Sequence, residues 1–163
     1  MESKLDRRLF LSAGAVAVAS ILFRPERSGA ASGGRFAVNY SPAEWKRRLG
    51  LKRYAVLREA ATERPFSSPL DREHRKGTFA CAGCGRPLFN SATKFDSGTG
   101  WPSFWRPLPR AVVTRADRSL AMERTEVQCA RCGGHLGHVF DDGPKPTGLR
   151  YCMNGLALNF RSA

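Results

Sequence analysis

Five cysteines divide by spacing into two kinds. Cys81/Cys84 and Cys129/Cys132 are Cys-x-x-Cys pairs, each followed by a glycine, Gly85 and Gly133. Two such pairs supply the four thiolates of one structural tetrahedral zinc site and leave no ligand position to fill. Cys152 stands apart, in Arg150-Tyr151-Cys152-Met153-Asn154. A thiol outside the metal set, downstream of a histidine-rich loop, suits a nucleophile on a metal-stapled scaffold. The competing readings are a buried, inert Cys152 and two structural disulfides in place of the metal. The glycine after each pair, and the need to select one of three pairings, favour the metal.

Other side chains add to that chemistry. On a strand, residues i and i+2 share a face, so Arg150 would sit beside the Cys152 thiol and favour its ionised form. His135 and His138 are three apart, and the chain has one further histidine, His74. Imidazole exchanges protons near neutral pH, so either can act as acid or base. His135 could instead ligate the nearby metal or shape its turn. Trp101 lies between Gly100 and Pro102. A permissive residue before it and a rigid one after it aim the indole in one direction; the alternative is a core position.

Four motifs accompany the two cysteine pairs: Lys94-Phe95-Asp96-Ser97-Gly98-Thr99-Gly100-Trp101-Pro102-Ser103-Phe104, His135-Leu136-Gly137-His138-Val139-Phe140, Asp141-Asp142-Gly143-Pro144 and Arg150-Tyr151-Cys152-Met153-Asn154-Gly155. In this order, from about Ser41 to Phe160, they resemble the B-type methionine sulfoxide reductases, which reduce the R epimer of methionine sulfoxide in proteins. The resemblance implies a mainly β fold of two small antiparallel sheets with short N-terminal helices and one structural zinc. It implies Cys152 as nucleophile, His138 as proton donor and His135 as a second active-site histidine. Asp142 would orient a histidine or water, Asn154 would hold the substrate, and Trp101 would floor the S-methyl pocket. Oxidised proteins or peptides would be the substrate and a thioredoxin-like or small thiol the reductant.

Two positions depart from the family. Threonine stands at 99, where many members carry the cysteine that resolves the oxidised nucleophile. With four cysteines committed to metal, Cys152 has no internal partner, which predicts a one-cysteine cycle through a sulfenic acid and an outside thiol. Gly155 stands where the family usually has serine, which predicts looser local hydrogen bonding without loss of activity.

The elements that position these residues are partly legible. Ser41-Pro42-Ala43-Glu44 reads as a helix start with serine cap, first-turn proline and capping box. Trp45 and Leu49 share one face, and a second helix is expected over 51–61, with Tyr54 and Leu57 inward. Short strands are expected at 77–80, 87–89, 111–114, 125–128 and 156–160. The two cysteine segments align as an internal repeat, strand into knuckle, with the glycine turning backbone N–H groups toward the sulfurs.

Before residue 41 the composition changes. Arg7-Arg8, an apolar run over 9–23 and small residues at 28–31 are the parts of a twin-arginine-like export signal. The run is shorter than the ~20 residues of a membrane span; an uncleaved anchor is the alternative. The expected organisation is a signal over 1–31, a linker over 32–40 and one domain over 41–163, exported to the periplasm as a monomer. The whole chain carries a net charge of +13. Its basic residues are scattered, which favours a solvated surface over a nucleic-acid face. The rivals from other classes are a basic zinc-ribbon binding module and a thiol–disulfide exchanger using its Cys-x-x-Cys pairs.

Overall fold

The computed structural model describes residues 36–119 and 123–163; the expected export signal lies outside them. Among the described residues, no helix is long and apolar enough to cross a membrane. Helix α1 (Pro42–Glu59) starts as its sequence encodes: the Ser41 hydroxyl accepts from the Glu44 N–H at 3.3 Å, and Pro42 opens the first turn. The other half of the capping box gives way to ion pairs, because Glu44 turns to Arg47 and Arg48 at 2.7 and 2.6 Å. Cations three and four residues along lie within reach on the helix surface. Gly50, at φ 68° and ψ 167°, breaks the helical path, so the two expected helices are two arms of one kinked element.

Among the described residues nine strands follow: β1 (Gly77–Cys81), β2 (Pro87–Asn90), β3 (Lys94–Phe95), β4 (Ser103–Phe104), β5 (Val112–Asp117), β6 (Arg124–Cys129), β7 (His135–Phe140), β8 (Arg150–Met153) and β9 (Leu158–Ser162). They form two antiparallel sheets, one in the order β2-β1-β9 and the other β3-β4-β8-β7-β6-β5. The fold is mainly β, as expected. The last strand starts two residues later than its sequence suggests, because Gly155–Ala157 winds into a 3-10 turn. Strands β3, β4, β7 and β8 lie in the motif-rich segments, where Gly, His and Cys mask the alternation that marks a strand.

Trp45, Val56 and Leu57 of α1 pack into a core with Phe79, Leu88, Phe89, Phe104, Val127, Leu136, Met153 and Leu158. Phe89 stacks on Phe104 at 4.3 Å, and Phe79 meets Phe104 edge-on at 4.9 Å. Each fully buried apolar side chain of this size contributes about 2 kcal/mol by removal from water. Residues 36–40, expected to be linker, are docked rather than free. The Val38 N–H donates to the Arg131 carbonyl at 3.0 Å, Val38 packs on the core, and Tyr40 meets Trp45 edge-on at 4.9 Å. Apolar contacts available to Val38 and Tyr40 outweigh the loop-like composition around them.

Candidate active site

The cysteine pairs converge from opposite sheets. β1 delivers Cys81 and β6 delivers Cys129, and each strand runs into the same turn. The Gly85 N–H donates to the Cys81 carbonyl and the Gly133 N–H to the Cys129 carbonyl, both at 2.8 Å. Both glycines hold φ near 70°, a left-handed conformation that closes the turn. The glycines' own N–H groups thus go to carbonyls, while the backbone N–H groups of Arg86 and Arg131 face the Cys84 and Cys129 sulfurs, as the sequence suggests. The four sulfurs lie within 4.8 Å of one another, with Cys81–Cys132 at 3.7 Å and Cys84–Cys129 at 3.6 Å. That is well beyond the ~2.05 Å of a disulfide, and all four are free thiols. Hydrogen bonds within the set push the Cys81 thiol up and the Cys84 thiol down. Four mutually facing sulfur donors suit a metal ion that takes them as thiolates.

Strand register places five residues in one row across the larger sheet. Ser103 lies opposite Cys152, Cys152 opposite His138, His138 opposite Glu126, and Glu126 opposite Arg115. Directly opposed residues project from one face with Cβ atoms roughly 5 Å apart. Two residues along, Arg150 lies opposite Phe140, and Arg124 opposite Asp117. This face carries chemistry. Phe104, Val127 and Met153, one residue out of phase with Ser103, Glu126 and Cys152, carry the core on the other face.

Cys152 is half-buried. A chain of hydroxyls reaches its sulfur: Ser103 donates to the Trp101 carbonyl at 3.1 Å, Ser97 meets Ser103 at 2.7 Å and Thr99 at 2.8 Å, and Thr99 meets the Cys152 sulfur at 3.8 Å. Burial pushes the Cys152 thiol up, while Thr99, Arg150 and Ser103 pull it down without reversing the shift. At neutral pH the resting residue is therefore a thiol. Arg150 acts on it from the same face of β8, as the i, i+2 spacing anticipated.

His138 and His135 each meet a carboxylate of their own. His138 Nε2 meets Asp117 at 2.8 Å, and Arg124 holds Asp117 at 2.9 Å. The Ser119 N–H, His138 and Arg124 keep Asp117 well below the usual carboxylate range. His135 Nδ1 meets Glu126 at 2.7 Å, and Arg115 and Gln128 also hold that carboxylate. Burial pushes His135 down despite Glu126, so it is neutral in the fold. Burial also acts on Glu126, upward, but Arg115, His135 and Gln128 together bring it down. Asp142, expected to orient a histidine or water, sits elsewhere: it forms a two-pronged pair with Arg150, both contacts at 2.8 Å, and it is exposed. The guanidinium reaches Asp142 first, and its planar fork matches both carboxylate oxygens. Arg150 also lies 4.4 Å from the centre of the Phe140 ring.

Trp101 and Asn154 are tied through Glu63, which the sequence reading passed over. The Trp101 indole N–H donates to the Glu63 carbonyl at 3.1 Å, and the Glu63 N–H donates to the Asn154 side-chain oxygen at 3.0 Å. The buried Glu63 carboxylate accepts from the Gly155 and Leu156 N–H groups. Asn154 also donates to the Leu136 carbonyl at 3.2 Å. Gly155 is not loosened: its N–H is held, and a Cβ there would lie 1.9 Å from the Ser68 hydroxyl.

A cavity of about 130 Å³ opens on this face, lined by Trp101, His138, Phe140, Cys152, Asn154 and Arg124 among others. The structure thus gathers Cys152, His138, Asn154 and Trp101 at one cavity, with Arg150 beside the thiol. His135 stands behind His138, ring centres 5.4 Å apart, and Asp142 stands outside. Asp117, Arg124, Glu126 and Glu63 were missed. A single acid or arginine in a polar strand carries no signal without its cross-strand neighbour. Buried Arg124 Nε has no hydrogen-bond partner among the described residues.

Two antiparallel sheets stapled by four cysteines, with a lone thiol opposite a histidine, define a metal-site β scaffold bearing a thiol centre. The SelR domain matches residues 49–162, and the chain belongs to that family. It is 60% identical over 119 residues to the peptide methionine sulfoxide reductase MsrB of Bradyrhizobium diazoefficiens, covering 72% of this chain and 86% of that protein. It is 51% identical over 127 residues to the protein of the same name from Leptospira interrogans, covering 77% and 97%. With that from Agrobacterium fabrum it shares 54% identity over 124 residues, covering 76% and 92%.

Proposed function

We propose that the chain is a peptide-methionine (R)-S-oxide reductase, an oxidoreductase that returns methionine sulfoxide in proteins to methionine. The observation that carries the reading is Cys152 opposite His138 at the cavity lined by Trp101. Methionine sulfoxide enters with its S-methyl group on the indole. Cys152 gives up its proton toward His138, and the thiolate attacks the sulfoxide sulfur. The proton passes to the sulfoxide oxygen, which ends on Cys152 as a sulfenic acid while methionine leaves. Two thiols of an outside reductant, small or thioredoxin-like, then restore Cys152, releasing a disulfide and water. Thr99 offers Cys152 no sulfur with which to close an internal disulfide.

Asp117 fixes the His138 ring, and Arg124 holds Asp117 in place. Arg150, held by Asp142, favours the thiolate once Cys152 ionises. The four-cysteine site would hold one zinc ion: sulfurs ~2.3 Å from a tetrahedral zinc lie roughly 3.8 Å apart, which the 3.6 and 3.7 Å pairs approach. Its role would be structural, since four thiolates from the β1 and β6 turns would fill its coordination and leave no open position.

Single-turnover reduction of a peptide carrying each sulfoxide epimer tests the reading. Reduction of the R epimer alone, catalytic with dithiothreitol and about one equivalent per chain without it, is expected. Reduction of neither epimer by zinc-loaded protein with an alkylatable Cys152 would overturn it. Export by the twin-arginine-like segment, with cleavage after about residue 31 and periplasmic location, is part of the same proposal. Cell fractionation with N-terminal sequencing checks it. Sedimentation checks the monomer.

A further inference from the structure

We propose that Phe66 is a binding contact for an apolar side chain next to the oxidised methionine, so that it sets preference among peptide substrates; this rests on the reductase reading above. Phe66 is 63% exposed although aromatic. Its backbone is left-handed, φ 61°, a conformation unfavourable for a bulky residue and kept only where the surroundings enforce it. They do so here. The Phe66 N–H donates to the Gly100 carbonyl at 2.7 Å. Three residues earlier, the Glu63 carbonyl accepts from the Trp101 indole, and the Glu63 carboxylate grips the turn after Cys152. The segment 63–66 is therefore fastened to the Trp101 loop at both ends.

The ring lies on the backbone of the residue preceding Trp101. A Cβ on Gly100 would lie 2.8 Å from it and 2.7 Å from the Phe66 nitrogen. Glycine at 100 is what lets the ring approach, and the strained backbone keeps the ring out of the core. The result is an outward apolar face lying against the loop whose next residue, Trp101, lines the cavity. The cavity has room for one side chain, so the residues flanking the methionine sulfoxide stay outside it, on the surface to which the Trp101 loop and Phe66 belong. A neighbouring apolar side chain would cover the ring, removing from water a surface that nothing described covers. Arg64 and Pro65 are also exposed, and Phe66 is the large apolar side chain on this segment's outer side.

The test compares three R-sulfoxide substrates: N-acetyl methionine sulfoxide amide, a pentapeptide with leucine on both sides of the sulfoxide, and one with glycine there. Phe66→Asn removes the ring while tolerating the left-handed backbone; Phe66→Leu keeps an apolar surface. The native protein is expected to favour the leucine peptide over the glycine peptide by about tenfold in kcat/KM, the discrimination of one apolar contact. Phe66→Asn should bring that ratio close to one with unchanged activity on the amide, and Phe66→Leu should keep most of it. An unchanged ratio in Phe66→Asn, or an equal loss on all three substrates, would overturn the proposal. Native protein that reduces none of the three overturns the reductase reading and this inference with it.

Discussion

Cys152 is a thiol held above its ordinary range by burial and drawn back by neighbours of opposite tendency. Thr99 pulls hardest among these, its hydroxyl 3.8 Å from the sulfur. It can donate to the thiolate, and a hydrogen bond to a charged group is one of the stronger kinds. Thr99→Val is therefore expected to move the pH profile of Cys152 alkylation upward, while Thr99→Ser leaves it in place. An unmoved profile in Thr99→Val would remove the hydroxyl from the account. Cys152→Ser should abolish single turnover and leave metal content and fold intact, read by reduction assay, zinc analysis and circular dichroism. Retained turnover would refute the nucleophile assignment.

Elements matter because the site is assembled across strands rather than along one. Strands β4, β8, β7, β6 and β5 each give one residue to the row Ser103–Cys152–His138–Glu126–Arg115. The turn after β8 is fitted to the segment before it: Gly155 is buried against the Ser68 hydroxyl and Glu63. Gly155→Ser overfills that contact and should cost about 2 kcal/mol of stability. Ser68→Gly in the same chain empties the space and should restore most of it, so the pair is non-additive. Additive losses in denaturant titrations would show that the contact does not govern the site.

At the scale of the molecule, the four-cysteine site joins β1 of one sheet to β6 of the other. Cys81→Ser, or removal of metal by a chelator, should lose the bound zinc and lower Tm sharply, because a structural zinc contributes folding free energy directly. An unaltered Tm in metal-free protein would refute the structural role. Acid acts at a second place. His135 is buried with its proton affinity lowered, so the folded state binds fewer protons than the unfolded chain once the pH drops through about 6.5. The neutral-ring contribution is fully present above that pH and declines below it toward the folded pKa. Tm should fall between pH 7 and 5.5, and His135→Gln should flatten that slope. An equal slope in His135→Gln would assign the acid sensitivity elsewhere.

Local patterns in the sequence were enough for the thiol inventory, the helix start at Ser41 and four strands near their observed places. Cysteine spacing, capping chemistry and alternation each act over a few residues, so the chain states them directly. The motifs also named Cys152, His138, Asn154 and Trp101, which the fold gathers at one cavity. The carboxylate that meets His138 was not legible, because Asp117 lies 21 residues from it in sequence and is brought to it only by strand register. Glu63 is likewise 91 residues from Asn154. Asp142 illustrates the converse: the family resemblance implied that it orients a histidine or a water, and here the planar fork of Arg150 holds it. Side-chain types and short spacings thus decide which chemistry is available, while the pairing of distant strands decides which carboxylate holds which histidine and how the indole is aimed.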